Sequence, residues 1–254
     1  MPSSSPDKIR YFTDHLIELR KGLVHSLVFL GVGVGLAFWK SGFLFSVLLQ
    51  PFHRAFAAIP GAGERSLQTL APIEAFMINM KLATVAGIIL ASPFLLHEIW
   101  VFASPALKAN ERRAILMVFL LGLFFFAGGL AFGYFLVIPL ALEFLLRYNL
   151  DYQFIPQWTL QGYFAFVVNF LLLFGAIFEL PLVLAALVAI GVATPAFLSQ
   201  KRKHAVLAIF VLAAIIAPSA DPVTQTIVAV PLILLYEIGI WLSYITFREK
   251  GYKG

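Results

Sequence analysis

Long apolar segments alternate with short polar segments along the whole chain. A hydrocarbon core about 30 Å thick requires roughly 20 apolar residues from a helix that spans it. Four segments are of about that length or longer: 22–39, 72–93, 114–142 and 162–190. The second tolerates Lys81, and the fourth carries one acid, Glu179. The pattern predicts a transmembrane helix over each segment.

The last apolar stretch, residues 205–247, is interrupted by the sequence APSADP at 217–222. Two prolines flank an Asp and a Ser, which favour turns and helix caps. Two helices joined by a tight turn are therefore predicted, and the first, 205–217, is only about 20 Å long. The chain is thus predicted to be an all-α polytopic membrane protein with six transmembrane helices, of which the fifth and sixth are short.

Composition agrees with this interpretation. Hydrophobic residues make up 61% of the 254 residues and charged residues 12%, against about 45–50% and 25% in soluble domains. A soluble enzyme, a nucleic-acid-binding protein and a disordered tail are therefore excluded as descriptions of the whole chain. Cysteine is absent, which excludes disulfides and thiolate metal sites. The polar N-terminus lacks an apolar signal core, so a cleaved signal peptide is not expected.

Basic residues predict the orientation. With six spans, 13 Lys and Arg fall on the side of both termini and 4 on the opposite side, so the positive-inside rule places both termini in the cytoplasm. Residues 1–254 are predicted to form a single transmembrane domain. Its cytoplasmic segments are 1–21, 94–113, 191–204 and 246–254, and its outside loops are 41–71 and 143–161. The first outside loop is apolar enough for a short helix at the membrane interface.

Glu179 is the most informative residue for function. An ionised carboxylate in mid-bilayer costs at least about 2.5–3.5 kcal/mol, so such acids usually face a partner or a cavity. A protonated Glu179 that only packs against a neighbouring helix is the structural alternative. Pro181 is expected to kink the helix beside it. Gln225 is placed to share a polar patch with Glu179, and Asp221 is expected to cap a helix in the preceding turn.

Other polar residues have simpler explanations when taken alone. Glu18 and Arg20 are two positions apart and do not face each other on a helix, and Glu111 beside two arginines is typical of a solvated helix start. No enzyme motif is present; for an intramembrane hydrolase, Ser92, Ser219 and His97 lack evident partners. The glycines of GVGVG at 31–35 and AGGLAFG at 127–133 indicate close helix packing.

Five motifs in this order resemble the TatC family, the large membrane component of the twin-arginine protein translocase. They are HLIELRKGL before the first span, LLQPF at Pro51, ASPFLLHEIWVFASPALKANERR after the second span, AFGYFLVIPLALEFL in the third, and FELP together with the turn from Asp221 to Gln225. The resemblance covers nearly the whole chain. It implies a bundle shaped like a cupped hand, with a locally thin membrane at the short fifth helix.

The resemblance also implies a function without catalysis and without a cofactor. Family members recognise twin-arginine signal peptides and export folded proteins across the cytoplasmic membrane, driven by the proton-motive force. They act with single-span partners of the TatA and TatB type, in lipid, and are expected to form homo-oligomers; nucleic acid is not a partner.

The resemblance implies roles for several residues of this sequence. Glu18 and Glu111 would meet the signal arginines, Arg20 would orient Glu18, and Phe102, Pro105 and Leu107 would shape the site. Glu179 and Gln225 would contact partner helices, while Pro51 and Asp221 would form structural turns.

An alternative function is a proton-coupled transporter of small solutes that uses Glu179 as its proton carrier. Such transporters commonly contain paired broken helices in two matching halves, which this sequence lacks.

Overall fold

The computed structural model describes residues 6–59, 66–103, 109–216 and 222–249, with side chains from residue 20 onward except those of 96, 99, 100, 102–116, 223, 224 and 246–249. Within these residues the chain forms ten α-helices. They are α1 Pro6–Trp39, α2 Ser41–Ala58, α3 Glu74–Ala103, α4 Ala109–Phe132, α5 Ile138–Asp151, α6 Leu160–Phe178, α7 Leu180–Ala189, α8 Pro195–Gln200, α9 Arg202–Ile216 and α10 Pro222–Glu249. A π-helical turn, Gly133–Val137, joins α4 to α5 without a break.

The predicted spans are confirmed in position. Five described segments are long and apolar enough to cross a membrane: Arg20–Trp39, Glu74–Leu95, Met117–Asp151, Leu160–Ala189 and Gln225–Ile245. The remaining predicted span is α9, whose 15 residues give a length of about 22 Å, so its shortness is confirmed. The prediction that the sixth helix is also short is wrong. α10 has 28 residues, Pro222–Glu249, because the apolar stretch after the turn continues to residue 247.

The chain divides into two compact units. Unit 1 comprises Met1–Val47 and Ala71–Leu120, and unit 2 comprises Leu48–Leu70 and Leu121–Gly254. The single domain predicted from the sequence stays a prediction.

Unit 1 is built on close packing between α1 and α3. A Cβ added at Gly33 would lie 2.7 Å from the carbonyl oxygen of Gly87, and one added at Gly87 would lie 2.6 Å from Cα of Val34. The two backbones are therefore in contact, and Ala37, Ala83 and Ala91 are buried nearby. The packing role predicted for GVGVG is confirmed at Gly33, whereas Gly31 and Gly35 face open space.

The core of unit 2 surrounds α10. Val228, Leu232 and Ile240 of α10 are buried in one cluster with Leu184 and Val188 of α7, Leu198 of α8 and Ile209 of α9. Glycine also lets α4 pack closely against α6, because a Cβ added at Gly129 would overlap the backbone at Phe174. The packing role predicted for AGGLAFG is therefore confirmed at Gly129.

A second part of unit 2 packs the end of α2 against the start of α6. Phe52 lies 5.7 Å from the ring of Trp158 and 5.5 Å from that of Tyr163. The Tyr163 hydroxyl donates to the Leu48 carbonyl at 2.6 Å. The helix predicted in this loop is confirmed, but the turn predicted at Pro51 is wrong. Pro51 lies buried inside α2, where proline is tolerated because these tertiary contacts hold the helix together.

Candidate functional site

The register between α1 and α3 fixes which residues meet at the end of unit 1 that contains the N-terminus of α1. Along the antiparallel pair, Gly33 meets Gly87, Phe29 stacks on Phe94 with ring centroids 4.9 Å apart, and Nδ1 of His25 lies 3.3 Å from Oε1 of Glu98. From Phe29–Phe94 to His25–Glu98, four residues toward the N-terminus of α1 match four residues toward the C-terminus of α3. Two further turns along α1 bring backbone position 18 to about the level at which α3 ends, at Ala103.

The residues predicted to bind a signal peptide all belong to unit 1. Glu18 and Arg20 lie on α1, Phe102 is in the last turn of α3, and Glu111 is in the first turn of α4. The Arg20 side chain is exposed. The side chains of Glu18, Phe102 and Glu111 lie outside the described part of the chain, as do Pro105 and Leu107 entirely. The register brings backbone position 18 near the level of the C-terminal end of α3, the helix that carries Phe102.

The contact between His25 and Glu98 was missed by sequence reasoning. Its two members lie far apart in the sequence, so no local spacing pairs them. The hydrophobic pattern of the sequence did point to these positions, because His25 and Glu98 are each a polar residue near the end of an apolar segment. The register that pairs them is set by the glycine contacts between α1 and α3.

Glu179 lies at the junction between α6 and α7, in unit 2. The helix break predicted beside Pro181 is confirmed, since Glu179 is the C-cap of α6 and the N-cap of α7. Its carboxylate lies over α4: a Cβ at Gly122 would be 3.5 Å from Oε2 and 3.7 Å from Oε1. None of the described basic side chains forms an ion pair with Glu179. A partly buried carboxylate therefore lies against bare helix backbone.

Gln225 does not share a polar patch with Glu179, so that prediction is wrong. Its Nε2 donates to the Phe210 carbonyl at 2.8 Å and thereby ties α10 to α9. Gly239, which packs against Pro181, is 14 residues further along α10, or about 21 Å. The two polar groups are thus at different levels of unit 2. Asp221 lies outside the described residues.

An ion pair near the start of α9 was also missed. Arg202 donates through Nε and Nη2 to the two carboxylate oxygens of Glu237 on α10, at 2.8 Å and 3.0 Å. This two-point geometry is the preferred arrangement of a guanidinium and a carboxylate. Within the described residues, no group of three or more His, Cys, Asp or Glu is placed to hold a metal ion.

Sequence comparison identifies the family. The family described as "Sec-independent protein translocase protein (TatC)" matches residues 14–231. The chain belongs to the TatC family. A TatC protein of Desulforapulum autotrophicum is 42% identical over 240 residues, covering 94% of this chain and 86% of the relative. A TatC protein of Aquifex aeolicus is 38% identical over 239 residues, covering 94% and 96%.

Solved structures agree with the TatC assignment. A crystal structure described as the twin-arginine translocase receptor TatC is 38% identical and superposes with a TM-score of 0.66, covering 91% of this chain and 99% of that one. A second, described as the same receptor in DDM, gives 0.67 with coverages of 90% and 99%. The all-helical membrane fold predicted from the sequence is therefore that of TatC proteins.

Proposed function

We propose that this TatC-family chain is the signal-peptide receptor and scaffold subunit of a twin-arginine translocase that exports folded proteins. Its membership of the TatC family is the observation that carries the proposal. Membership also favours a translocase subunit over a transporter of small solutes, and an enzymatic function has no support from the family. The chain would lie in the cytoplasmic membrane with both termini inside, as the distribution of basic residues predicts.

The receptor surface is proposed at the cytoplasmic end of unit 1. Glu18 and Glu111 would accept hydrogen bonds from the two signal arginines. Arginine presents five N–H donors in a planar fork that matches a carboxylate, and such charge-assisted bonds are the strong ones. Arg20 would orient Glu18, and Phe102, with Pro105 and Leu107, would shape the apolar side of the site. The level of position 18, near the C-terminal end of α3, supports this grouping.

Unit 2 would contact the other translocase components. Glu179 is an acid within an apolar helix pair, and such residues usually face a polar partner. A polar side chain of a TatA- or TatB-type single-span helix is the proposed partner. Gln225 is proposed for the same purpose, in addition to its bond with Phe210. The assembled complex, containing more than one copy of this chain, would use the proton-motive force.

The receptor function is tested by measuring binding of a fluorescent twin-arginine signal peptide to the full-length chain in lipid nanodiscs. Glu18→Gln combined with Glu111→Gln should weaken binding by at least about 100-fold, because each variant removes a charge-assisted bond worth about 1.5–3 kcal/mol. Glu143→Gln in unit 2 is the matched control and should bind normally. Unchanged affinity in the double variant would rule out the proposed receptor surface.

A further inference from the structure

Glu98 is an enclosed acid of the α1–α3 pair near its proposed cytoplasmic end. Its side chain is 15% exposed, whereas that of His25 is 60% exposed. His25 is the described residue that it contacts through a polar group. Enclosing a carboxylate is costly unless it is paired with a cation. Within the described residues, His25 meets one oxygen of Glu98, which leaves the other oxygen for a further donor.

The two oxygens of Glu98 face different positions on α1. Oε1 contacts His25, while Oε2 lies over bare backbone at Gly22, where an added Cβ would be 3.7 Å away. Position 18 is four residues before Gly22, which is one helical turn or about 6 Å. Positions 18, 22 and 25 also share one face of α1, because their spacing is that of i, i+4 and i+7. Oε2 is therefore the oxygen nearer to the level of Glu18.

We propose that Glu98 is a third carboxylate of the signal-binding surface and shares one signal guanidinium with Glu18. This inference rests on the proposed receptor function. A guanidinium has donors on two edges of a rigid plane, so it can bridge two carboxylates that approach it from different sides. A lysine ammonium is a compact point charge and cannot span the same two acceptors as well. Glu98 thus contributes to the preference for arginine over lysine.

His25 is a positioning residue in this arrangement. The imidazole holds Oε1 of Glu98 through Nδ1 at 3.3 Å. Oε2, which faces Gly22, is then left for the incoming guanidinium. A permanent cation at position 25 would instead form an ion pair with Glu98 and compete with the signal. The charge of residue 25 therefore matters more than its ability to hold Glu98 in place.

The test measures the affinities of a twin-arginine signal peptide and its twin-lysine counterpart for the full-length chain in nanodiscs. Glu98→Gln should weaken binding of the arginine peptide about tenfold and change that of the lysine peptide less than twofold. The ratio of the two affinities should therefore fall about tenfold. Glu143→Gln, which removes an acid paired with Arg147 in unit 2, should leave both affinities unchanged.

Two variants of His25 separate positioning from a structural role. His25→Gln keeps a neutral donor and should retain affinity for the arginine peptide within about twofold. His25→Arg should lower that affinity about as much as Glu98→Gln, although its ion pair strengthens the contact between α1 and α3. If the contact were merely structural, the arginine variant would bind at least as well as the unmodified chain.

The outcomes distinguish this inference from the proposed function. Unchanged affinities in Glu98→Gln and His25→Arg, with binding lost when Glu18 and Glu111 are replaced, would overturn the role of Glu98 and leave the receptor function intact. An equal loss for both peptides in Glu98→Gln would also overturn it, because no preference for arginine would then depend on Glu98. Normal binding in every variant would remove the receptor function as well.

Discussion

At Gly33 and Gly87, the absence of a side chain lets the backbones of α1 and α3 touch. The same contact sets the register that brings Glu98 to His25 and position 18 to the end of α3. Neighbouring glycines of the same motif, Gly31 and Gly35, have open space around them. Glycines that look equivalent in the sequence therefore differ in what a methyl group would meet.

Replacing Gly87 by alanine should lower the free energy of unfolding by about 1–3 kcal/mol, as expected for overpacking. Its Cβ would be 2.6 Å from backbone atoms of Val34, which cannot move aside as a flexible side chain can. Thermal unfolding of the purified chain, followed by tryptophan fluorescence, measures the change.

Gly35→Ala is the matched control for Gly87→Ala. Alanine is favoured over glycine within a helix by roughly 0.5–1 kcal/mol, and Gly35 faces open space, so stability should stay constant or rise. Equal destabilisation by both substitutions would contradict the close contact between α1 and α3.

At the scale of the helix, proline does not by itself determine where an element ends. Pro51, Pro93 and Pro231 lie inside α2, α3 and α10, whereas the segment with Pro181 breaks into α6 and α7. At the break, Glu179 adopts φ −73° and ψ −8°, and its carbonyl accepts from the N–H groups of both Leu182 and Val183. Leu182 thus bonds three residues back instead of four, and its N–H group stays paired through the break.

The short helix α9 depends on its bonds to α10. At about 22 Å it is shorter than the hydrocarbon core, and the Gln225 amide bonds the Phe210 carbonyl within it. Gln225→Leu should therefore reduce stability by about 1 kcal/mol, the usual range for hydrogen bonds between membrane helices. Thermal unfolding should show a Tm lower by about 2–4 °C.

Thr226→Val provides the control for Gln225→Leu. The Thr226 hydroxyl donates to the Pro222 carbonyl within its own helix, so no bond between helices is lost and Tm should change by less than 1 °C or so. A Gln225→Leu variant as stable as the unmodified chain would show that this bond does not hold α9.

At the scale of the whole molecule, the residues proposed for signal binding and those proposed for partner contact lie in different units. Every residue proposed for signal binding belongs to unit 1, whereas Glu179 and Gln225 belong to unit 2. The chain passes from one unit to the other within α2 and again within α4, so the units are not consecutive in the sequence. This division supports a receptor surface and a partner surface on different parts of one chain.

The proposed orientation can be tested with reporter fusions. Alkaline phosphatase fused after position 155 should be active, because that loop is expected outside, and a fusion after position 200 should be inactive. A C-terminal green fluorescent protein should fluoresce, since the excess of basic residues predicts that this end lies in the cytoplasm. The reverse pattern of phosphatase activity would contradict the orientation.

Local features of the sequence determined the membrane class, the positions of the six apolar helices, the shortness of α9 and the break beside Glu179. Length, hydrophobicity and proline placement act within one segment, so they can be interpreted without knowing the neighbours. The short motifs of the sequence also gave the resemblance to the TatC family. These local features did not determine the continuation of α2 through Pro51.

The tertiary structure alone decided which groups meet. The His25–Glu98 contact, the bond from Gln225 to Phe210 and the single close-packed glycine of GVGVG each depend on the register between two helices. A shift of one residue rotates a helix face by about 100°, so polar positions known from the sequence do not identify their partners. In unit 1 the register is fixed by backbone contact at Gly33 and Gly87, which no property of either segment alone could specify.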